Sequence, residues 1–125
     1  MIVRYEDDLP LIEFTIIGNK INNTYKGYLD TGSTTTSIPK KDAIELGLEY
    51  AGQTYRVTSA GIHIFDLYKA KVSFVQKEYE LIVIGLELHN EFPFRALIGR
   101  DLLDHYKTCF DGINGEIIIE PAKFT

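Results

Sequence analysis

The chain has 125 residues, of which 45% are hydrophobic and 25% charged, a composition typical of a globular domain and not of a disordered or fibrous protein. Its formal net charge of −5, with basic residues scattered along the sequence, argues against nucleic-acid binding, which needs clustered lysines and arginines. Cys109 is the one cysteine, which excludes an intrachain disulfide, and the lack of a signal-like or long apolar segment predicts a cytoplasmic protein without a membrane partner.

The first elements in chain order are a predicted β-hairpin that ends at an aspartate. Residues 11–17 alternate apolar and polar side chains with the period of a half-buried strand. Gly18 and Asn19 then turn the chain back into a second strand over 21–29. This strand ends at Asp30, so we expect its carboxylate to stand on a rigid hairpin.

The residues after Asp30 suit a loop that holds a carboxylate in one orientation. Thr31, Gly32 and Ser33 allow a tight turn and place small hydrogen-bonding side chains around the acid. This Asp-Thr-Gly-Ser sequence is therefore the first candidate for the setting of a catalytic aspartate.

A short helix is predicted over 40–46. Pro39 has the φ of a helical first turn, and Gly47 stands where a glycine closes a helix.

A second pair of strands is predicted over 53–58 and 62–68. The small residues Ser59, Ala60 and Gly61 lie between them. A hairpin tip of this kind can move and can bring backbone donors close to a ligand.

The middle of the chain predicts further short strands. Alternation over 68–74 gives the clearest strand pattern, and a polar turn over 76–78 follows it. The apolar run in 79–84 indicates a strand covered on both faces, and 87–93 is expected to be a loop. The last two strands are predicted over 107–110 and 116–120.

The segment Leu97, Ile98 and Gly99 reads as an apolar strand that ends at a glycine, and a short helix is predicted over 100–106. Many short strands and two small helices together indicate one all-β, mostly antiparallel domain over 1–125.

The order of these motifs resembles that of the retropepsin-like aspartic proteases. Subunits of that family carry an Asp-Ser/Thr-Gly motif in the first half and a hydrophobic-hydrophobic-Gly motif near the end, followed by a helix and a final strand. Here Asp30 opens the first motif, and Gly99 closes the second 69 residues later. The resemblance covers roughly residues 11–119 and implies a closed, barrel-like acid-protease fold with two short helices.

The resemblance implies an aspartic endopeptidase in which two carboxylates share one proton. The ionised carboxylate removes a proton from water while its protonated mate donates to the peptide carbonyl. The chain has one Asp-Thr-Gly sequence, since the Asp111-Gly112 pair lacks the threonine. The second acid is therefore expected from another copy, which predicts a homodimer with one Asp30 from each chain.

The resemblance also implies roles for the neighbours of Asp30. Thr31 would hydrogen-bond across the twofold axis, and Gly32 would let the backbone approach the substrate. Ser33 would donate to the outer oxygen of Asp30, which favours an acid-shifted activity optimum. Gly99 would permit a close crossing beneath the active loop.

A flap over an extended peptide or protein substrate is implied for the hairpin tip, at Ser59, Ala60, Gly61 and Ile62. The tip has fewer glycines than retroviral flaps, which argues against easy closure of this hairpin over a substrate. No metal or cofactor is expected, because the three histidines lack the spacing of metal ligands.

Arg100 and Cys109 have simple alternative interpretations. Arg100 matches an arginine that pairs with an acid in retroviral subunits, but Thr34 stands in the place of that acid. Either Asp7 or Asp8 of a second copy would supply the charge, or Arg100 would be solvated. Cys109 is expected to be a small buried hydrophobic residue.

The apolar run over 117–119 predicts a last strand with two possible locations. It would either join an intersubunit sheet, with Ile2 and Val3 in the matching role, or lie inside its own domain.

Two other functions compete with the endopeptidase. The same fold would serve as a dimerisation or peptide-binding module with little turnover, or a small β-barrel would carry the Asp-Thr-Gly sequence by chance.

Overall fold

A computed structural model describes residues 1–121, which form ten strands and two short helices. The strands are β1 (Ile2–Arg4), β2 (Leu11–Ile17), β3 (Asn22–Leu29), β4 (Ser37–Pro39), β5 (Glu49–Thr58), β6 (Gly61–Phe74), β7 (Lys77–Leu86), β8 (Ala96–Ile98), β9 (Tyr106–Asp111) and β10 (Glu116–Pro121). The helices are α1 (Lys40–Glu45) and α2 (Arg100–Leu103).

Six strands close into a barrel. The larger sheet has the order β2-β3-β8-β4-β7-β6-β5, and β2 also pairs with β6, so β5 alone lies outside the ring. The alternation in β2 explains how the barrel fills, because Ile12, Phe14 and Ile16 are buried while Glu13 is exposed. The predicted all-β, barrel-like fold with two short helices is confirmed.

The larger sheet is mostly antiparallel, as the sequence predicts, but two of its pairings are parallel. β3 pairs in parallel with β8, and β4 pairs in parallel with β7. The ends of β3 and β8 therefore lie side by side, at Leu29 and Ile98. This pairing brings the Asp-Thr-Gly motif and the hydrophobic-hydrophobic-Gly motif together at one end of the barrel.

The last strand lies inside a sheet of its own chain. β10 is the middle strand of a three-stranded sheet, between β1 and β9, with Ile2 opposite Ile118. Ile117 and Ile119 are both fully buried in the core. The intrachain location is therefore the one observed, and an intersubunit partner is not needed to cover this strand.

Helix α1 starts at Lys40, as predicted, and Pro39 before it has the predicted φ, −60°. Pro39 is nevertheless extended, with ψ of 131°, and ends β4. The pairing of β4 with β7 fixes Pro39 in the strand conformation. At the other end, Gly47 has φ of +71°, and the amides of Gly47 and Leu48 donate to the carbonyls of Ile44 and Ala43, which closes the helix in a Schellman motif.

Two predicted boundaries and one predicted burial differ from the structure. β6 is one continuous strand of 14 residues, so the strands predicted over 62–68 and 68–74 are a single element. The strand predicted over 79–84 is not covered on both faces along its whole length, since Ile82 is 49% exposed. Helix α1 covers the outer face of β7 only further along, where Lys40 lies against Gly85. Tyr106 begins β9 and is not part of α2, which ends at Leu103.

None of the helices within residues 1–121 has the length and apolar character needed to cross a membrane.

Candidate active site

The loop that follows β3 holds Asp30 through backbone hydrogen bonds on both sides. The Asp30 amide donates to the carbonyl of Ile98 at 3.0 Å, and the Asp30 carbonyl accepts from the amide of Ser33 at 3.1 Å. The Gly32 amide donates to the Asp30 carboxylate at 3.0 Å. Asp30 is half-buried, whereas Thr31 and Gly32 are exposed. The carboxylate is therefore oriented by the loop and still faces an open surface.

Close backbone contacts join this loop to the segment after β8. A β-carbon on Gly99 would lie 2.6 Å from the carbonyl carbon of Thr35, so a side chain at this position would force the two segments apart. The amide of Arg100 donates to the Ser33 carbonyl at 2.8 Å, and the amide of Asp101 donates to the Thr34 carbonyl at 3.2 Å. The hydrophobic-hydrophobic-Gly segment thus supports the Asp30 loop from below.

Thr36 and Asp101 connect the same two segments through side chains. Thr36 is fully buried, and its hydroxyl donates to Asp101 Oδ1 at 2.6 Å while accepting from the Gly99 amide at 3.1 Å. The Thr36 amide donates to Asp101 Oδ2 at 2.9 Å. Sequence reasoning missed this pair, since a threonine and an aspartate 65 residues apart carry no local signal.

The Ser33 hydroxyl does not bond Asp30 in the way that the resemblance implies. It donates to the Thr35 carbonyl at 2.8 Å, and the Thr35 amide donates back to it at 3.3 Å. The hydroxyl closes a small turn inside the loop. The expected cause of an acid-shifted optimum is therefore absent from the arrangement of the described residues.

The β5–β6 hairpin ends in a two-residue turn made of Ser59 and Ala60. Thr58 pairs with Gly61, whose φ of +109° suits glycine. The Thr58 hydroxyl donates to the Gly61 carbonyl and accepts from the Ala60 amide, both at 3.2 Å. These hydrogen bonds stabilise the tip, which has one glycine, Gly61. Ile62 follows it in β6.

One face of the β5–β6 hairpin is apolar and exposed. The paired residues Tyr55 with Ile64 and Val57 with Ile62 are each exposed by 66% or more. Ile62 and Ile64 have the same parity in β6 as the buried Tyr68, so the apolar face continues the core-facing side of the strand. A face of four neighbouring exposed apolar side chains is typical of a surface that another molecule covers.

Two polar contacts hold the hairpin to the rest of the barrel. Arg56 Nη2 donates to the hydroxyl of Thr35, in the Asp30 loop, at 3.4 Å. At the hairpin base, Lys40 Nζ lies 2.8 Å from Asp66, which also accepts from Gln53 at 3.0 Å. The hydrogen bond from Lys40, followed by that from Gln53, lowers the pKa of Asp66.

An aromatic row extends from β3 into the loop before β8. Tyr28 stacks on Phe94 with ring centroids 4.8 Å apart, and Phe92 lies 6.0 Å from Phe94. Tyr28 lies in β3, two residues before Asp30 in the chain. The sequence predicts a loop over 87–93, which includes Phe92 but not Phe94, and it predicts no contact between these rings and Tyr28.

Cys109 and Arg100, which the sequence analysis also considered, are both exposed. Cys109 is exposed and not buried as predicted, because it lies on the outer face of the three-stranded sheet. Arg100 is exposed, in agreement with a solvated side chain in one chain. In the described part of the chain, no group of three His, Cys, Asp or Glu side chains is placed to hold a metal ion.

The sequence matches no family model and no curated protein, so likeness to solved structures identifies the fold. A retropepsin-like aspartic protease from Rickettsia conorii aligns with a TM-score of 0.66 and 22% identity over 95% of this chain and 88% of that one. The protease of simian foamy virus (mac) aligns with a TM-score of 0.54 and 18% identity over 76% and 92%. The retroviral protease-like domain of Ddi1 from Leishmania major gives 0.52 and 14% over 94% and 98%. The three comparisons agree on one fold.

Proposed function

We propose that this chain, which has the retropepsin-like fold, is an aspartic endopeptidase that works as a homodimer with one Asp30 from each copy. The observation that carries the proposal is the hydrogen-bonded Asp30 loop on the Gly99 segment. The Asp30 carboxylate accepts a hydrogen bond from the Gly32 amide at 3.0 Å, while the neighbouring Thr31 and Gly32 remain exposed. An oriented acid at an open surface suits a reaction that needs a second group from outside the chain.

The requirement for a second copy follows from the chemistry. Acid and base catalysis on a peptide bond needs one protonated and one ionised carboxylate, which two adjacent carboxyl groups achieve by sharing a proton. A twofold axis beside the exposed Asp30 loop would bring the two Asp30 residues together, with Thr31 and Gly32 at the contact. Ser33 would serve inside the loop, through its bond to Thr35.

The substrate would be an extended peptide bound beneath the β5–β6 hairpin, which would act as the flap. Ser59, Ala60 and Gly61 would supply the movable tip, and Ile62 would contact the substrate. Leu97 and Ile98 would support the floor of the site through their pairing with β3. The hairpin contact between Arg56 and Thr35 leaves the apolar face with Ile62 free for a ligand.

The direct test is cleavage of a denatured protein or peptide library by the Asp30→Asn variant and by the unaltered chain, between about pH 4 and 7. We expect Asp30→Asn to lower kcat by about a thousandfold or more, since it removes both the acid and the base of the dyad. Asp111→Asn is the matched control, because Asp111 ends β9, where its carboxylate accepts hydrogen bonds from Asn114 and Ile113 in the turn that follows. Activity that survives Asp30→Asn would remove Asp30 from the mechanism.

A peptide-binding module is the second candidate, and the exposed apolar face with Tyr55 and Ile62 favours it because such a face binds peptide with or without turnover. A statine-type transition-state analogue separates the two functions. An enzyme dyad would give a rise in Tm that Asp30→Asn abolishes, whereas a binding module would give the same rise in both proteins. Sedimentation analysis measures whether the chain forms the dimer that both functions use.

A further inference from the structure

Asp101 accepts three hydrogen bonds and joins two parts of the candidate site. Oδ2 accepts from the Thr36 amide at 2.9 Å, and Oδ1 accepts from the Thr36 hydroxyl at 2.6 Å and from the Leu102 amide at 2.9 Å. Thr36 ends the loop that begins at Asp30, and Leu102 belongs to α2. The carboxylate therefore binds the loop to the first turn of the helix.

The Thr36 hydroxyl extends the connection to the hydrophobic-hydrophobic-Gly segment. It accepts from the Gly99 amide at 3.1 Å in a buried position and donates its own proton to Asp101. The order of donors is fixed, because an amide N–H can only donate and the hydroxyl has one proton. A buried amide that loses its acceptor is costly, so Gly99 needs an oxygen at this point.

We propose that Thr36 and Asp101 are positioning residues, which hold the Asp30 loop against the Gly99 segment and so set the orientation of the Asp30 carboxylate. The proposal rests on the endopeptidase function above. Neither residue bonds Asp30 directly. They act through the Ile98 carbonyl, which accepts the Asp30 amide at 3.0 Å and lies next to Gly99 in the chain. A loosened Gly99 would let this carbonyl shift, and small misplacements of reacting groups reduce rates by up to about a hundredfold.

Two substitutions of Thr36 separate the hydroxyl from its volume. Thr36→Ser keeps the hydroxyl, whereas Thr36→Val keeps the shape and leaves the Gly99 amide without an acceptor. We expect Thr36→Val to lower kcat by about tenfold or more with little change in KM, and Thr36→Ser to stay within about threefold of the unaltered chain. The kcat values are measured per active site, titrated with a statine-type inhibitor, so a loss of folded protein does not count.

Asp101→Asn tests the acceptor role of the carboxylate. With its NH₂ group at the Oδ2 position, the amide faces the Thr36 N–H, and with the group at Oδ1 it faces the Leu102 N–H. Each orientation therefore places the new donor against a backbone donor. We therefore expect Asp101→Asn to resemble Thr36→Val in kcat. A normal kcat per active site in both variants would overturn the proposal, even if Tm falls.

Hydrogen exchange gives a readout that does not depend on turnover. We expect the Asp30 amide to exchange about tenfold or more faster in Thr36→Val and at the usual rate in Thr36→Ser, with the Val72 amide in the barrel as the reference for global unfolding. Equal protection of Asp30 in both variants would contradict the positioning role. A chain that cleaves no substrate but shows the exchange difference would disprove the endopeptidase and keep the positioning of the loop.

Discussion

Gly99 lies directly against the backbone of Thr35, where an added β-carbon would come within 2.6 Å of the Thr35 carbonyl carbon and 2.8 Å of its nitrogen and oxygen. Backbone atoms cannot rotate away as a side chain can. We therefore expect Gly99→Ala to destabilise the protein by about 3 kcal/mol and to lower cleavage activity further through displacement of the Asp30 loop. Urea denaturation measures the loss in the free energy of unfolding.

Gly112→Ala is the matched control for this prediction. A β-carbon on Gly112 would meet no atom within 4 Å, so the substitution is expected to change stability by less than about 0.5 kcal/mol. If Gly99→Ala were as mild as Gly112→Ala, the loop and the Gly99 segment would be able to separate without cost.

The sequence predicted the local elements of the site well and the contacts between them poorly. Alternation in 11–17 gave β2 with its observed bounds, and the position of Asp30 after a strand followed from the same hairpin. Pairing between β3 and β8 is parallel and joins segments far apart in the chain, so it has no periodic signal. For the same reason the Thr36 and Asp101 bonds could not be read from either segment alone.

The resemblance was informative about residue types and less so about their bonds. It implied a hydrogen bond from the Ser33 hydroxyl to the outer oxygen of Asp30, but the direction of a hydroxyl depends on the nearest acceptor. In this loop that acceptor is the Thr35 carbonyl, 2.8 Å away. β4 was missed for a different reason, because the three residues Ser37–Pro39 are too short for a strand pattern and end in a proline.

Ser33→Ala is predicted to leave the pH dependence of cleavage unchanged. The hydroxyl bonds Thr35 and not the Asp30 carboxylate, so its removal should cost about 1 kcal/mol of stability without moving the acid limb of the activity profile. The measurement is kcat/KM across the pH range together with Tm. A shift of the profile to higher pH would mean that Ser33 turns to Asp30 in the active assembly.

Ile62→Asn is predicted to weaken substrate binding without unfolding the protein. Ile62 is 69% exposed, so folding gains little from it, whereas a peptide beneath the hairpin would bury it. We expect kcat/KM to fall about tenfold, which is the scale of one apolar side chain left uncovered. Steady-state kinetics on an apolar peptide and a melting curve for each variant provide the test.

Ile113→Asn controls for exposed isoleucine, since Ile113 is 97% exposed at the β9–β10 turn, away from the hairpin. It should change neither kcat/KM nor Tm. Equal kinetic effects of the two substitutions would rule out a specific role of Ile62 in substrate contact.

Asp66→Asn is predicted to lower stability at neutral pH and to lose its effect in acid. Asp66 joins β6 to α1 through Lys40, 2.8 Å away, and this hydrogen bond, aided by that from Gln53, holds the pKa of Asp66 below its ordinary value of 3.8. A carboxyl group with a lower pKa in the folded state stabilises the fold above its ordinary pKa, and the contribution disappears as pH falls through the folded value. The Tm of the unaltered chain should therefore approach that of Asp66→Asn only below about pH 3.8.

Glu49→Gln is the control for this prediction. The ion pair of Glu49 with Lys69 is more exposed than that of Asp66 with Lys40, so its loss should lower Tm less at pH 7. A Tm difference for Asp66→Asn that stays constant from neutral pH into acid would show that the carboxylate stabilises the hairpin base by something other than its charge.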